Sequence, residues 1–433
     1  MTKMRSSTGL TFAQEAMRYV YSFLLVLLIP FAFLNFIFRK KNKEDTAEHG
    51  RFERLGFVKA PAQKGGYLFH CVSVGEVIAA SVLIKQILKE EPETAVTVST
   101  TTATGSARVK AIFGDGVHHF YLPYDLPWSM NRMLGRVEPK MVLITEVELW
   151  PNLIHRCWRG KIPVVVINAR MTERSAKRYS KISLLFAPML NKVSHVCAQG
   201  QRDYDNYLAL GIAKSKLTLT NNIKFDQSSA KLASTDSFHG LKKGERPILI
   251  GGSTHEGEER ALLDALIALK PAFPTLMLIL VPRHPERFST VRKLIESEPL
   301  QLASTSDTPA IAPDTDVVLV DEMGKLNQAY AMASIAFVGG SLADKGGHNA
   351  LEPAAHKLPI IMGPHIYNNP VICDSLIQNG ALVIVNDTQA LTAQCLHYLQ
   401  NPEHASEAGL CGYDVLMANK GAVSASMAVI NMY

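Results

Sequence analysis

Glu76 follows the apolar run Tyr67–Val74 (YLFHCVSV) and opens a helix-like segment, in the order Ser73-Val74-Gly75-Glu76. An acid at a helix start just after a strand is expected to stand exposed in a cleft, where it can take up a proton, which makes Glu76 the best general-base candidate in the chain. Its plainer role is to partner the helix dipole. Glu146 and Glu148, in EVELWPN, end another apolar run. Two positions apart on a strand, they share one side of the pleat, where acids are costly unless paired or used. Thr102-Ala103-Thr104-Gly105-Ser106 is a hydroxyl-rich turn at a helix start, suited to an anion. Arg170, Arg174, Lys177, Arg178 and Lys181 form a basic run that either grips phosphates or covers a solvated helix face. Lys224, in NIKFD, closes the first half of the chain and brings one more cation.

The second half has four loops of interest. In Ser253-Thr254-His255-Glu256-Gly257-Glu258-Glu259, Ser253 or Thr254 is placed to cap a helix whose first turn is acidic. His255-Glu256 opens like the zinc motif HExxH, but Glu259 stands where the second histidine belongs, so the zinc reading fails. In Pro282-Arg283-His284-Pro285, two prolines fix a loop that aims Arg283 and His284 at a ligand. Arginine suits phosphate through its planar fork, with a surface salt bridge as the alternative. In Asp321-Glu322-Met323-Gly324-Lys325-Leu326, Gly324 lets a backbone amide approach a ligand at a helix start. The last loop, VGGSLADKGGHNALEPA (338–354), pairs Gly339-Gly340 with Gly346-Gly347 ahead of a helix expected to begin near Asn349. Glu352, one turn in, is placed to accept two hydroxyls, as acids do from ribose in dinucleotide folds. Neither GxGxxG nor GxxxxGK[ST] occurs, which leaves the NAD and P-loop readings without support.

These residues need a scaffold that ends strands in one place. Short apolar runs at 67–74, 95–102, 118–123, 141–149, 163–168, 194–199 and 217–222 alternate with helix-like segments. A polar stretch, 227–246, interrupts the pattern, which restarts at 247–254, 276–282, 316–322, 335–341, 359–364 and 381–385. Strands alternating with helices predict parallel sheets covered on both faces. The expected organisation is an α/β protein of two Rossmann-like domains, 46–235 and 236–433, facing each other across a cleft. Ligands in such sheets bind outside the carboxyl ends of the strands.

A chain of 433 residues suits two domains, and 47% hydrophobic with 19% charged residues describes a globular protein with an apolar addition. A net charge of +6 fits an anionic substrate or membrane surface and is too small to argue for nucleic acid. Cys71, Cys157, Cys197, Cys373, Cys395 and Cys411 form no CxxC pair and read as buried free thiols in a reducing compartment. The apolar addition is residues 19–38, uninterrupted by charge and ~30 Å long as a helix. Arg39, Lys40, Lys41 and Lys43 follow it. Residues 1–45 therefore read as an uncleaved membrane anchor with a basic juxtamembrane segment, and the loop charges favour a cytoplasmic C-terminal side. A cleaved signal peptide is the rival reading, against which stand the length of the run and the lack of a small-x-small site after it, and an interfacial helix that dips without spanning is a further alternative.

HCVSVGEV, YLPYDLP, EVELWPN, NARMTERSAKRY, IKFD, GGSTHEGEE, LVPRHPER and GGSLADKGGHNALEPAAHKLPIIMGPH occur in this order along the chain. Together they resemble the lipid A Kdo transferases, which move 3-deoxy-D-manno-octulosonic acid (Kdo) from CMP-Kdo to the lipid A precursor. The resemblance runs from about residue 17 to the C-terminus. It implies the GT-B glycosyltransferase fold, an inverting transfer, and a place on the cytoplasmic face of the inner membrane. It implies Glu76 as base, and Glu146 and Lys224 as transition-state stabilisers. It places CMP on Pro282 and Arg283, on Met323, Gly324 and Lys325, and on Asn349, Ala350, Leu351 and Glu352. No cofactor or metal is expected, since Arg283 and helix N-termini can offset the single phosphate of the donor. The chain departs from the family pattern at Lys325, where Glu is frequent, at Ala350, where Pro is frequent, and at Phe52-Glu53-Arg54, where many members have Gly-Glu-Arg. Two other readings are another GT-B nucleotide-sugar enzyme, which predicts a diphosphate nucleotide, and a non-catalytic membrane-associated binding protein, which predicts that Glu76 is dispensable.

Overall fold

The computed structural model describes residues 12–38, 52–230 and 237–433. Residues 39–45, the expected juxtamembrane segment, lie outside them. The chain divides into two units, 1–223 with 421–433, and 224–420. The expected boundary near 235 thus falls earlier, and the C-terminal segment belongs to the first unit rather than the second.

Unit 1 holds a seven-stranded parallel sheet: β1 (Tyr67–His70), β2 (Val96–Thr100), β3 (His118–Tyr121), β4 (Met141–Thr145), β5 (Val164–Ala169), β6 (His195–Ala198) and β7 (Leu217–Leu219). Their order is β3-β2-β1-β4-β5-β6-β7. The chain winds outward from β1 to β3, then returns to the other side of β1 as β4. Alternate residues feed two separate cores. Leu68, Val142, Ile144, Val164 and Val196 pack on one face. Phe69, Val98, Leu143, Val165 and Ile167 pack on the other. Burial on both faces explains why these strands read as continuous apolar runs. The helix Ala422–Ile430 completes the second face, with Ala422, Met427, Val429 and Ile430 in that core.

Unit 2 opens with the helix Ile223–Ala230, and a short hairpin, β8 (Ser237–Phe238) and β9 (Leu241–Lys242), lies inside the polar stretch 227–246. Its own parallel sheet follows: β10 (Ile248–Thr254), β11 (Met277–Pro282), β12 (Leu302–Ser304), β13 (Val317–Leu319), β14 (Ile335–Val338), β15 (Ile360–Met362) and β16 (Leu382–Ile384). The order is β12-β13-β11-β10-β14-β15-β16. Leu249, Leu278 and Phe337 face one core, and Ile250, Ile279 and Ala336 the other.

A helix, Phe12–Phe38, forms over the expected anchor. Among the described residues no helix is long and apolar enough to cross a membrane. One face of this helix docks on unit 1 through polar groups. The Arg18 guanidinium donates to Asn152 Oδ1 at 3.0 Å, and the Tyr21 hydroxyl donates to Asp125 Oδ2 at 3.1 Å. Asp125 also accepts the backbone N–H groups of Asn152 and Leu153. The opposite face leaves Tyr19, Phe23, Leu24, Leu27 and Leu28 exposed.

Candidate active site

In each sheet the strand order reverses at one place, between β1 and β4 in unit 1 and between β10 and β14 in unit 2. Loops diverge there, leaving a crevice at the carboxyl ends. Glu76 and Glu146 come after β1 and β4, and the candidates of unit 2 come after β11, β13 and β14.

In unit 1, Ser73 caps the helix Val74–Glu90, and Glu76 sits in its first turn. The Glu76 carboxylate accepts the Val72 N–H at 2.8 Å and the Ser73 hydroxyl at 2.9 Å. It is buried, at 7% exposed, where the sequence predicts exposure. Burial, helped by the negative charges of Glu146 and Glu148, pushes its carboxyl up to about 7, against the two hydrogen bonds. A carboxyl with that value is poised for proton transfer near neutral pH. Glu146 follows β4, where the run expected to extend to 149 stops at Thr145. Glu146 takes φ 60°, an uncommon conformation for a residue with a Cβ, and its N–H donates to Ile167 O. Glu148 is also raised by burial and then by Glu146. The hydroxyl-rich turn beside them is a cap: Thr102 Oγ1 accepts the Gly105 N–H and donates to Val72 O. It fixes the loop that carries Ser73. The basic run forms the helix Glu173–Lys181, which has no buried residue. Glu173, Arg174, Lys177, Arg178 and Lys181 line a shallow depression of about 380 Å³.

In unit 2, Pro282 ends β11, and Arg283 extends into solvent with its N–H on Thr254 O at 3.0 Å. Arg287 instead makes a bidentate pair with the buried Glu259, at 2.6 and 3.0 Å. Gly324 takes φ 84° ahead of the helix Leu326–Met332, and Met323 is exposed. Lys325 Nζ lies 4.0 Å from Glu322. The helix expected near Asn349 runs Leu351–Ala355. Asn349 donates to Ser228 Oγ, and its Oδ1 accepts the Leu351 N–H. The Ala350 and Leu351 side chains are core, so a ligand can meet only their backbone. Glu352 is half-buried, and its charge reaches the buried Tyr330. Lys224 Nζ donates to Asn369 Oδ1 at 2.6 Å.

One expectation in unit 2 needs correction. Neither Ser253 nor Thr254 caps the helix Glu258–Leu269. Gly257 is its N-cap, at φ 90°, and makes no side-chain cap. Ser253 sits instead at a break in the β10 register, with φ 56°. The backbone amides of the glycine loop are engaged within the protein. The N–H groups of Gly340, Ser341, Leu342 and Ala343 all donate to the carboxylate of Glu258, at 2.8 to 3.1 Å, and the His255 N–H does so at 2.8 Å. The protein thus supplies this nest with its own anion. The glycines and the acidic helix start were visible in the sequence, but their pairing spans 82 residues or more and has no local signal.

Among the described residues no group of three or more His, Cys, Asp or Glu side chains is arranged to hold a metal ion. Cys71, Cys157, Cys197, Cys373 and Cys395 are buried free thiols, and Cys411 is half-buried.

Residues 49–227 match the family model for 3-deoxy-D-manno-octulosonic-acid transferase (kdotransferase). The chain is 41% identical to the 3-deoxy-D-manno-octulosonic acid transferase of Haemophilus influenzae, over 96% of this chain and 98% of that protein. It is 32% identical to the enzyme of the same name from Bordetella pertussis, over 81% of this chain and 83% of that one. Among solved structures, UDP-GlcNAc 2-epimerase from Neisseria meningitidis shares the fold, with a TM-score of 0.58 at 15% identity, over 86% of this chain and 100% of that one. The two parallel α/β units are those of the GT-B fold, and the chain, a glycosyltransferase, belongs to the 3-deoxy-D-manno-octulosonic acid transferase family.

Proposed function

We propose that the protein transfers Kdo from CMP-Kdo, with inversion, to a hydroxyl of the lipid A precursor at the cytoplasmic surface of the inner membrane, using Glu76 as general base. The observation that carries this reading is the state of Glu76: a buried carboxyl at the β1/β4 crevice, held by Val72 N–H and Ser73 and brought to about 7. The acceptor oxygen attacks the anomeric carbon of Kdo. The bond from that carbon to the phosphate oxygen breaks, CMP leaves with the electron pair, and the hydroxyl proton passes to Glu76.

Positive charge developing on the sugar is stabilised by the Glu146 carboxylate, and the leaving phosphate by Arg283 and Lys224. The exposure of Arg283, in contrast to the engaged Arg287, supports its role. CMP rests on Pro282, the Met323–Lys325 turn and the Asn349–Glu352 segment, with Glu352 on the ribose hydroxyls. The exposed apolar face of the helix Phe12–Phe38 and the cationic helix Glu173–Lys181 support attachment to an anionic lipid surface. Mass spectrometry of lipid A precursor incubated with the enzyme and CMP-Kdo tests the whole reading. A mass gain of one or more Kdo supports it. An unchanged acceptor, with intact enzyme and detergent present, removes this acceptor and donor.

A further inference from the structure

The loops that follow β10 and β14 bring two histidines into contact. His255 Nε2 and His348 Nε2 are 2.8 Å apart, with the rings 6° from parallel. A hydrogen bond between two Nε2 atoms needs one donor and one acceptor, so the neutral pair holds one proton between them. The arrangement is built in. Gly340 takes φ 72°, and a Cβ there would lie 3.0 Å from the His348 ring, so the glycine lets backbone and imidazole pack closely. His348 N–H donates to Gly339 O. His284 adds a third ring, edge-on to His255 at 5.3 Å.

The charged and titratable groups acting on the pair are Arg283, His284, Arg287, Lys345 and Glu259. Four are basic, and the acid, Glu259, is engaged by Arg287. Glu258, close by, is saturated by five N–H groups. Burial first, then this basic company, lowers both imidazoles, His348 to about 4. The His255–His348 pair is therefore neutral at pH 7 and stands among cationic side chains. Its position beside Arg283 marks where an oxyanion would be received.

We propose that the His255–His348 pair is an anion site that takes up one proton when the phosphate or carboxylate of the donor sugar nucleotide binds. This rests on the donor reading given above. The anion raises the affinity of the pair for a proton, and the bound proton strengthens the hold on the anion; the two are linked. In the free protein the site is flat below the low free-state values. Above them, anion affinity falls by up to about tenfold per pH unit until the bound state also loses its proton.

The test is calorimetry of the full chain in detergent, in buffers of differing ionisation enthalpy, from pH 5.5 to 8. The probe is cytidine 5′-methyl phosphate, a phosphodiester whose charge does not titrate in that range. Free Kdo and cytidine are the comparison ligands. Uptake of close to one proton with the phosphodiester, absent with cytidine and lost in His348→Gln and His255→Gln, supports a phosphate site. Uptake seen only with Kdo supports a carboxylate site. Binding of the phosphodiester and Kdo without proton uptake overturns the inference and leaves the donor reading standing. Failure of the phosphodiester and CMP to bind at all overturns the donor reading and this inference with it. The wild-type measurement decides the matter even if a variant fails to fold.

Discussion

Replacing Glu76 with Gln should move activity and stability in opposite directions. The ordinary glutamate value is 4.5, and in this fold Glu76 stands at about 7. An unfolded chain ionises that carboxyl first. Its contribution to stability is therefore fully present below pH 4.5 and is lost as pH rises through 7. The shift amounts to about 3 kcal/mol disfavouring the folded state above pH 7. Gln keeps the shape and an acceptor for Val72 N–H but carries no charge. Glu76→Gln should therefore be more stable than wild type at pH 8, by about 1–3 kcal/mol, and equal to it near pH 4.5. Urea unfolding at the two pH values measures this. As the base, Glu76 should contribute about 10²–10⁴-fold to turnover, or ~3–5 kcal/mol of barrier. Wild-type turnover should fall about tenfold per pH unit below 7, and this limb should be gone in the variant. A variant that is inactive yet no more stable at pH 8 would refute the ionisation argument, and one that is stabilised yet fully active would refute the base assignment.

Three other expectations bear on unit 2 and the docked helix. Glu258→Ala leaves five inward N–H groups without an acceptor and should destabilise unit 2 by about 3–5 kcal/mol, read from its own denaturation transition. Glu352→Ala should weaken CMP binding by about 1–3 kcal/mol through unpaired ribose hydroxyls, and equal affinity in calorimetry would remove it from the site. Asn152→Leu removes the partner of Arg18 and Ser22, so amide exchange over residues 16–29 should speed up at least tenfold while β1–β6 keep their protection.

Most strands were legible because each is buried on both faces and reads as a short run of Val, Ile and Leu. The strand Leu302–Ser304 was not, since it is three residues long at a sheet edge. The hairpin at 237–242 hid in polar composition. The placement of candidate residues was legible next to strand ends, where Glu76, Glu146 and Arg283 come after β1, β4 and β11. Placement was not legible where a distant group fills a loop. Glu258 in the glycine nest and His255 against His348 are pairings across more than 80 residues, set by strand order rather than by local pattern. The return of 421–433 to unit 1 is of the same kind, because periodicity shows that a helix has an apolar face but not which sheet will cover it.

That return sets an order of events on the ribosome. When residue 223 emerges, the strands of unit 1 exist, but the strip formed by Phe69, Val165, Ile167 and Cys197 still lacks Ala422, Met427, Val429 and Ile430. Residues 224–420 must be made first, a wait of about 10–40 s at about 5–20 residues per second. Unit 2, being continuous, can close before the unit that precedes it. The nascent first unit waits with an apolar strip uncovered, open to chaperones or to the wrong partner, and a stop codon near residue 420 would injure the half of the protein farthest from it in sequence.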